Sequence, residues 1–142
     1  METPPWDEAT PPWEEATTTV RVMREEVAAF NAERDWARYH SPRNLAMALT
    51  VEAGELLELF LWSSDEGPQP PVESRLPRVA EEAADVMICL LNLCDRSGID
   101  LAAAVQAKLA RNAERYPVQL ARGRLEKSTE LAAAQPDEGE GR

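Results

Sequence analysis

The sequence contains very little histidine and cysteine. Its 142 residues include one histidine, His40, and two cysteines, Cys89 and Cys94. A single imidazole excludes zinc sites that need several histidines, and the Glu-x-x-His pairs of di-iron bundles are missing. The cysteines fall in one predicted helix about 140° apart around its axis, so they cannot bridge each other there. We predict that both are reduced core residues, as expected in a reducing cytoplasm.

Long apolar runs and an excess of basic residues are also missing. No run approaches the ~18 apolar residues of a membrane span, and the N-terminus has no basic region followed by an apolar stretch. Lysine and arginine total 15 against 26 aspartates and glutamates, which gives a formal net charge of -11. Nucleic acids and anionic membranes require a basic surface, so neither is an expected partner. We predict a cytoplasmic protein without an export signal, and a single nucleotide held through a metal ion stays compatible with this charge.

The two ends of the chain differ in composition from its middle. Residues 3–9 and 10–16 are tandem copies, TPPWDEA and TPPWEEA, whose Pro-Pro pairs forbid a regular helix. We predict a flexible leader over 1–17, and a docking motif or an arm over a neighbouring subunit is the alternative. Residues 123–142 are small and acidic and are predicted to be disordered. The folded domain is therefore expected over 18–122.

Hydrophobic periodicity in this middle region predicts four helices and no strand. The helices are expected over about 18–39, 42–63, 75–98 and 101–115, with a Gly/Pro loop at 65–72. Ser41 as N-cap with Pro42 at the first position begins the second helix. Ser74 is the predicted cap of the third, Gly98 suits its left-handed end, and Asp100 caps the fourth. The fold class is all-α, a four-helix bundle-like subunit whose surplus apolar surface predicts a dimer or tetramer.

Two acidic pairs lie in helix stripes that are otherwise apolar. Glu52 and Glu55 form one pair, and Glu82 and Asp85 form the other. At i, i+3 spacing each pair faces inward, so two packed helices would bring four carboxylates into one small volume. At ~5 Å such charges repel by roughly 3 kcal/mol per pair at an effective dielectric of about 20, so a cation should lie between them. Oxygen ligands alone favour Mg²⁺, or Mn²⁺, over zinc or iron.

Three segments carry a longer pattern: FNAERDWARYHSPRNLAMALTVEAGELLELFLW at 30–62, EEAADV at 81–86 and KLARNAERYP at 108–117. Together they place E-x-x-E, a gap of 26 residues, E-x-x-D and then K-x-x-x-N-x-x-R-Y-P in one chain. This order is specific, whereas E-x-x-E alone occurs in many helices. Over about residues 27–117 the chain resembles the MazG-like all-α nucleoside triphosphate pyrophosphohydrolases, most closely their dCTP pyrophosphatase branch.

The resemblance implies an activity and a set of site residues. Relatives hydrolyse a nucleoside triphosphate to the monophosphate and pyrophosphate, with dCTP or a related pyrimidine nucleotide as the leading substrate, and they are tetramers. The implied Mg²⁺ ligands and catalytic carboxylates are Glu52, Glu55, Glu82 and Asp85. The implied base and sugar pocket contains Trp36, Arg38, His40 and Trp62. The residues matching the fourth-helix motif, expected near the phosphates, are Lys108, Asn112, Arg115 and Tyr116.

Two positions depart from the pattern of the dCTP branch, and several of these roles have alternatives. Cys89 occupies the place of a tyrosine and Val27 the place of a histidine, which leaves the preferred base undetermined. The tryptophans could be core anchors, and Lys108 and Arg115 could pair with surface acids. A non-catalytic helical module that binds nucleotide or protein is the rival function, and a house-cleaning hydrolase of non-standard nucleotides is a second.

Overall fold

A computed structural model describes residues 18–61, 72–127 and 129. Within these ranges all regular structure is helical, which confirms the predicted all-α class. The main helices are α1 (Val20–Glu33), α2 (Pro42–Glu58), α3 (Leu76–Arg96), α4 (Leu101–Arg115) and α5 (Val118–Ala121), with short 3-10 helices at Trp36–Arg38 and Val72–Arg75. One compact unit ends at Asp100 and another begins at Leu101. The predicted leader, the 65–71 loop and most of the predicted tail lie outside the described residues.

Helix α1 is shorter than the sequence predicts. It begins after Thr19, whose side chain accepts a hydrogen bond from the Val22 amide at 3.3 Å. It ends at Glu33, so the prediction of one helix to residue 39 is wrong over its last turns. The cause is Asp35, which has a left-handed φ of 51°, a conformation that interrupts a right-handed helix and that aspartate tolerates better than most residues.

The start of α2 confirms its predicted cap, and the start of α3 does not. The Ser41 hydroxyl accepts from the Asn44 amide at 3.2 Å, and Pro42 occupies the first turn. At α3 the N-cap position is Arg75 rather than Ser74, because the 3-10 turn Val72–Arg75 runs directly into the helix. Pro77 lies in the first turn of α3, as predicted, where its missing N–H leaves no helical hydrogen bond unmade.

Helix α3 ends in a Schellman motif built on Gly98. The Ile99 amide donates to the Cys94 carbonyl at 2.9 Å, and the Gly98 amide donates to the Asp95 carbonyl at 3.2 Å. Gly98 has a φ of 64°, which glycine adopts without the steric cost that a side chain brings. The predicted left-handed stop is therefore confirmed.

Helices α2 and α3 pack side by side and run in opposite directions. At one end the Arg75 guanidinium donates to the Leu59 carbonyl at 2.7 Å. At the other end the Arg96 guanidinium donates to the His40 carbonyl at 3.0 Å. Helix α1 packs against α3, and the buried apolar residues of this unit are Leu45, Leu59, Leu91 and Cys94. This arrangement fixes which residues of α2 face which residues of α3.

The unit that begins at Leu101 contains α4 and α5. Helix α4 has the predicted bounds and ends before Pro117, and α5 follows that proline without having been predicted. The Tyr116 amide donates to the Asn112 carbonyl at 2.8 Å and closes the last turn of α4. None of the helices in the described ranges has the length and apolar content needed to cross a membrane.

Candidate active site

Three acidic side chains from α2 and α3 converge on one point. Glu52, Glu82 and Asp85 each place a carboxylate oxygen within 4.8 Å of the others. The antiparallel packing of α2 and α3 brings the two acidic motifs level, and i, i+3 spacing puts Glu82 and Asp85 on one face of α3. The fourth predicted ligand, Glu55, lies outside this group of oxygens, although its charge still acts on Glu52.

The four acids are less uniformly buried than the sequence predicts. Glu52 and Glu82 are half-buried, whereas Glu55 and Asp85 are exposed. The predicted convergence is thus confirmed for Glu52, Glu82 and Asp85, although Asp85 is exposed, and the inward prediction is wrong for Glu55. The physical reason is that carboxylates lose much hydration free energy on full burial, so the second member of each pair stays at the open edge of the helix interface. The result is an acidic cleft that water and ligands reach.

The carboxyl of Glu52 experiences the electrostatics of this cleft most strongly. Burial raises its pKa above the ordinary value of 4.5, and the negative charges of Glu55, Asp85 and Glu82 raise it further. Both causes disfavour the ionised form, since one removes water and the others add like charge. A cation among these oxygens would reverse the second effect. The acidic cleft therefore favours a bound cation, which would offset the repulsion between the carboxylates.

The geometry of the cluster suits a small hard cation. Ligand oxygens at the 2.0–2.1 Å typical of Mg²⁺ lie at most about 4.2 Å apart across the ion. Oxygens within 4.8 Å of one another reach that limit with a small inward movement of flexible side chains. Glu52, Glu82 and Asp85 can therefore hold Mg²⁺ or Mn²⁺, which would keep its other positions for water or phosphate oxygens.

A cavity of about 470 Å³ opens one helical turn from the acids. Ala48 on α2 lines the cavity and lies four residues before Glu52. Cys89 on α3 also lines it and lies four residues after Asp85. Pockets of this volume accommodate small organic ligands. The lining residues are Glu26, Val27, Phe30, Asn31, Trp36, His40, Asn44, Leu45, Ala48, Ile88, Cys89 and Asn92. The cleft and the cavity together form a site with an anionic end and a largely apolar end.

Aromatic rings form one wall of this cavity. Trp36 is 44% exposed and meets Phe30 edge-on, with 5.8 Å between ring centroids. The His40 ring lies 6.4 Å from the Trp36 ring, centroid to centroid, and is also edge-on. The helix break at Asp35 places the tryptophan at the start of a short 3-10 turn, where its ring is half exposed rather than sealed in the core. Two of the predicted base-pocket residues, Trp36 and His40, thus lie together at one cavity.

The remaining predicted pocket residues are placed differently. Arg38 is not among the residues that line the cavity, and its guanidinium pairs with Asp35 at 3.4 Å and lies 5.9 Å from the Tyr39 ring centroid. Trp62 lies outside the described residues. Lys108, Asn112, Arg115 and Tyr116 belong to the second unit, at the C-terminal half of α4 and just after it. Substrate contact by these residues stays a prediction.

Both positions that depart from the dCTP branch line the cavity. Val27 and Cys89 contribute an apolar and a weakly polar surface there. Burial raises the pKa of the Cys89 thiol, and the charges of Glu52 and Asp85 raise it further. The thiol therefore resists becoming a thiolate. Both cysteines are free, as predicted, but Cys89 is only half-buried, whereas Cys94 is a core residue.

Sequence reasoning missed three buried or half-buried polar residues of the cavity, as well as the exposed Asn44. Asn31 and Asn92 form a buried side-chain hydrogen bond, with Asn31 Nδ2 donating to Asn92 Oδ1 at 2.6 Å. Glu26 is half-buried on the same wall as Phe30. The only signal was that each lies on the predicted inward face of its helix, because Asn31 follows Val27 by four residues and Asn92 follows Cys89 by three. A single amide in such a stripe is a far weaker signal than a pair of carboxylates.

The chain is similar to several known proteins. Residues 47–131 match the MazG-like family. The dCTP pyrophosphatase 1 of Bos taurus is 47% identical over 115 residues, which are 80% of this chain and 68% of the relative. The dCTP pyrophosphatase 1 of Rattus norvegicus is 45% identical over 124 residues, which are 86% of this chain and 73% of the relative.

A solved structure gives the same result for the fold. A pyrophosphatase from Archaeoglobus fulgidus DSM 4304 superposes with a TM-score of 0.65 at 36% sequence identity, covering 74% of this chain and 98% of that chain. The family match includes both acidic motifs and the fourth-helix motif. The chain belongs to the MazG-like family, in the branch that contains the dCTP pyrophosphatases.

Proposed function

We propose that this protein hydrolyses dCTP, or a closely related pyrimidine nucleotide, to the monophosphate and pyrophosphate in a Mg²⁺-dependent reaction. The enzyme class follows from its relatives, so the chain is a nucleoside triphosphate pyrophosphohydrolase. The observation that supports the proposal most is the position of the acidic cleft, one helical turn from a cavity with an aromatic wall. A nucleotide spans this distance with its base in the cavity and its phosphates at the acids.

Each end of the site has a separate task. Trp36 offers a half-exposed ring on which a base can stack, an interaction worth ~1–3 kcal/mol. Glu52, Glu82 and Asp85 would hold the metal ion. Bound Mg²⁺ neutralises phosphate charge and makes water a better nucleophile. The carboxylates themselves repel a free triphosphate, so we expect productive binding to need the cation.

Hydrolysis requires a base for the attacking water. Water adds to the α-phosphorus, the bond to the oxygen bridging the α and β phosphates breaks, and pyrophosphate leaves. Glu55 is the residue proposed to accept the proton, because it is exposed, lies outside the three-oxygen cluster and still acts electrostatically on Glu52. No covalent intermediate on the protein is needed, and the raised pKa of the Cys89 thiol argues against one there.

A panel of nucleotides tests this proposal. Pyrophosphate release would be measured for the common dNTPs and NTPs, each with Mg²⁺ and with EDTA. We expect dCTP to give the highest kcat/KM and EDTA to abolish release. Nucleotide binding without pyrophosphate release would instead support a non-catalytic module, and a marked preference for damaged or non-standard nucleotides would support a house-cleaning hydrolase.

A further inference from the structure

We propose that the Asn31–Asn92 amide pair recognises the Watson–Crick edge of the nucleotide base and selects cytosine over uracil. The pair joins α1 to α3 across the wall of the cavity, with Asn31 Nδ2 donating to Asn92 Oδ1 at 2.6 Å. Only 9% of Asn31 and 8% of Asn92 is exposed. The inference rests on the proposed function, because it assigns a base to the apolar end of that site.

The hydrogen bond uses one polar atom of each of the two side-chain amides. Asn31 Oδ1 and Asn92 Nδ2 are left, and among the described residues neither has a hydrogen-bond partner. No side-chain nitrogen or oxygen in those parts of the chain is both sealed from solvent and unpaired. The two atoms therefore reach accessible space, and the accessible space beside these residues is the cavity that they line.

A buried polar group that meets only an apolar cavity is unfavourable, so this arrangement points to a polar ligand. The pair offers one acceptor, Asn31 Oδ1, and one donor group, Asn92 Nδ2, to the same cavity. A complementary ligand carries a donor next to an acceptor. The N4 amino group and N3 of cytosine are such an edge, so N4 would donate to Asn31 and N3 would accept from Asn92.

A uracil held in the same register, with its 4-substituent at Asn31, presents the reverse order, because its O4 accepts and its N3–H donates. Its N3–H and O2 would match the pair only after the base rotates out of that register. In the orientation that the structure shows, O4 would face Asn31 Oδ1 and N3–H would face the Asn92 amino group, so both contacts would be repulsive. Turning both amides over exchanges the two offered groups and would admit uracil. The Asn31-to-Asn92 orientation is therefore the feature that makes the pair selective.

Equilibrium binding of the product monophosphates tests this role separately from catalysis. Isothermal titration would compare dCMP with dUMP in Mg²⁺ for the wild type and for Asn92→Asp, which is isosteric. The carboxylate can only accept, so it repels cytosine N3 and accepts the N3–H of uracil. We expect the wild type to prefer dCMP by about 10-fold, the scale of one good bidentate base contact, and Asn92→Asp to abolish or reverse the preference.

The neighbouring residue Asn44 provides the matched control. It lines the same cavity but is exposed, and its amide donates to the Tyr39 carbonyl. Asn44→Asp adds the same charge and should weaken dCMP and dUMP binding equally, leaving their ratio unchanged. If Asn92→Asp fails to fold, Asn92→Leu removes the donor without a charge and should bring the ratio close to one.

The outcomes separate this inference from the proposed function. A wild-type dCMP/dUMP ratio that persists in the folded Asn92 variants would show that the pair only joins α1 to α3. A wild type that binds both monophosphates equally, or neither, would overturn the inference as well. A ratio that depends on Asn92 in a protein that releases no pyrophosphate would support the inference and overturn the proposed hydrolysis.

Discussion

At the scale of single residues, Glu52 combines two roles that conflict in the absence of a cation. It is half-buried on α2, as a structural residue would be, and its oxygen lies within 4.8 Å of those of Glu82 and Asp85. An apolar residue at this position would remove the repulsion and stabilise the packing of α2 on α3. We propose that a glutamate in this stripe serves ligand binding rather than stability. Two consequences for single residues can be measured.

Replacing Glu52 should stabilise the metal-free protein at neutral pH. Because the folded state raises the pKa of Glu52, folded protein holds this proton more tightly than unfolded protein. The free energy of unfolding therefore falls as pH rises from about 4.5 through the folded-state pKa, and the full cost is present above it. In EDTA at pH 7.5 we expect Glu52→Gln to melt at or above the wild type.

Thermal unfolding in EDTA at several pH values tests whether Glu52→Gln stabilises the metal-free protein. The advantage of Glu52→Gln should shrink as pH falls towards 4.5, where the wild-type carboxyl becomes protonated. The control is Glu81→Gln, an exposed residue on α3 outside the acidic cluster, which should bring no comparable gain. A Glu52→Gln protein that is destabilised equally at every pH would identify Glu52 as an ordinary structural residue.

Trp36 should contribute to substrate binding more than to folding. Its ring is 44% exposed in the cavity wall, so truncation costs little packing but removes one stacking surface. We expect Trp36→Ala to raise KM by ~10-fold or more with a smaller effect on kcat. Tyr39→Ala, which truncates a more exposed ring that does not line the cavity, should leave KM unchanged. An unaltered KM with a lowered Tm in Trp36→Ala would show that the ring is a core residue.

At the scale of helices, the sequence predicts best where one residue determines the backbone locally. Ser41, Pro42 and Gly98 act through hydrogen bonds or dihedral angles within a few residues, and their predicted roles are confirmed. The break at Asp35 was missed because a left-handed aspartate has no local signal stronger than the continuing apolar periodicity. Ser74 was a reasonable cap by type, but the 3-10 turn moved the start of the helix beyond it.

The presence or absence of a local sequence signal also explains which parts of the site were predictable. Glu52, Glu82 and Asp85 stand out as charges in apolar stripes, and the predicted packing of their two helices at this point is confirmed by their convergence. The Asn31–Asn92 contact joins residues 61 apart in sequence, and neither position is unusual by itself. The exposure of each acidic side chain was also not predictable, since it depends on how far α2 and α3 are rotated about their axes where they pack.

Two glycines in neighbouring helices should respond to the same substitution with opposite signs. Gly98 has a φ of 64° at the end of α3, whereas Gly54 lies inside α2, and an added Cβ meets nothing within 4 Å at either position. Gly98→Ala should therefore destabilise by about 1–2 kcal/mol through left-handed strain alone. Gly54→Ala should stabilise by about 0.4–1 kcal/mol, because alanine restricts the unfolded chain and favours the helix.

Chemical denaturation of the two alanine variants and the wild type measures both effects. Equal destabilisation by both substitutions would contradict the assigned backbone conformations. It would also contradict the open space around Gly54.

At the scale of the whole molecule, α2 exposes several large apolar side chains. Met47, Val51 and Leu57 are 59%, 57% and 60% exposed. Met47 and Val51 are four residues apart and therefore share one face of α2. Exposed apolar residues on one helix face mark contact surfaces, which supports the predicted dimer or tetramer.

Light scattering after size exclusion tests this assembly. We expect the wild type to elute as a dimer or tetramer and a Val51→Lys variant to shift towards the monomer, because a lysine there must lose its hydration in the contact. Glu81→Lys, which places a lysine at an exposed position of α3, should leave the assembly unchanged. A monomeric wild type would contradict the proposed interface.

The central claim is that the carboxylates of α2 and α3 bind the divalent ion on which pyrophosphate release depends. The most direct measurement is the initial rate of pyrophosphate release from dCTP over a Mg²⁺ series, comparing wild type, Glu82→Gln and Glu81→Gln. Losing one charged ligand should lower the rate of Glu82→Gln at least ~100-fold at any Mg²⁺ concentration, while its sequence neighbour Glu81→Gln stays near wild type. Near-normal turnover by Glu82→Gln, or equal losses in the two variants, would contradict the claim.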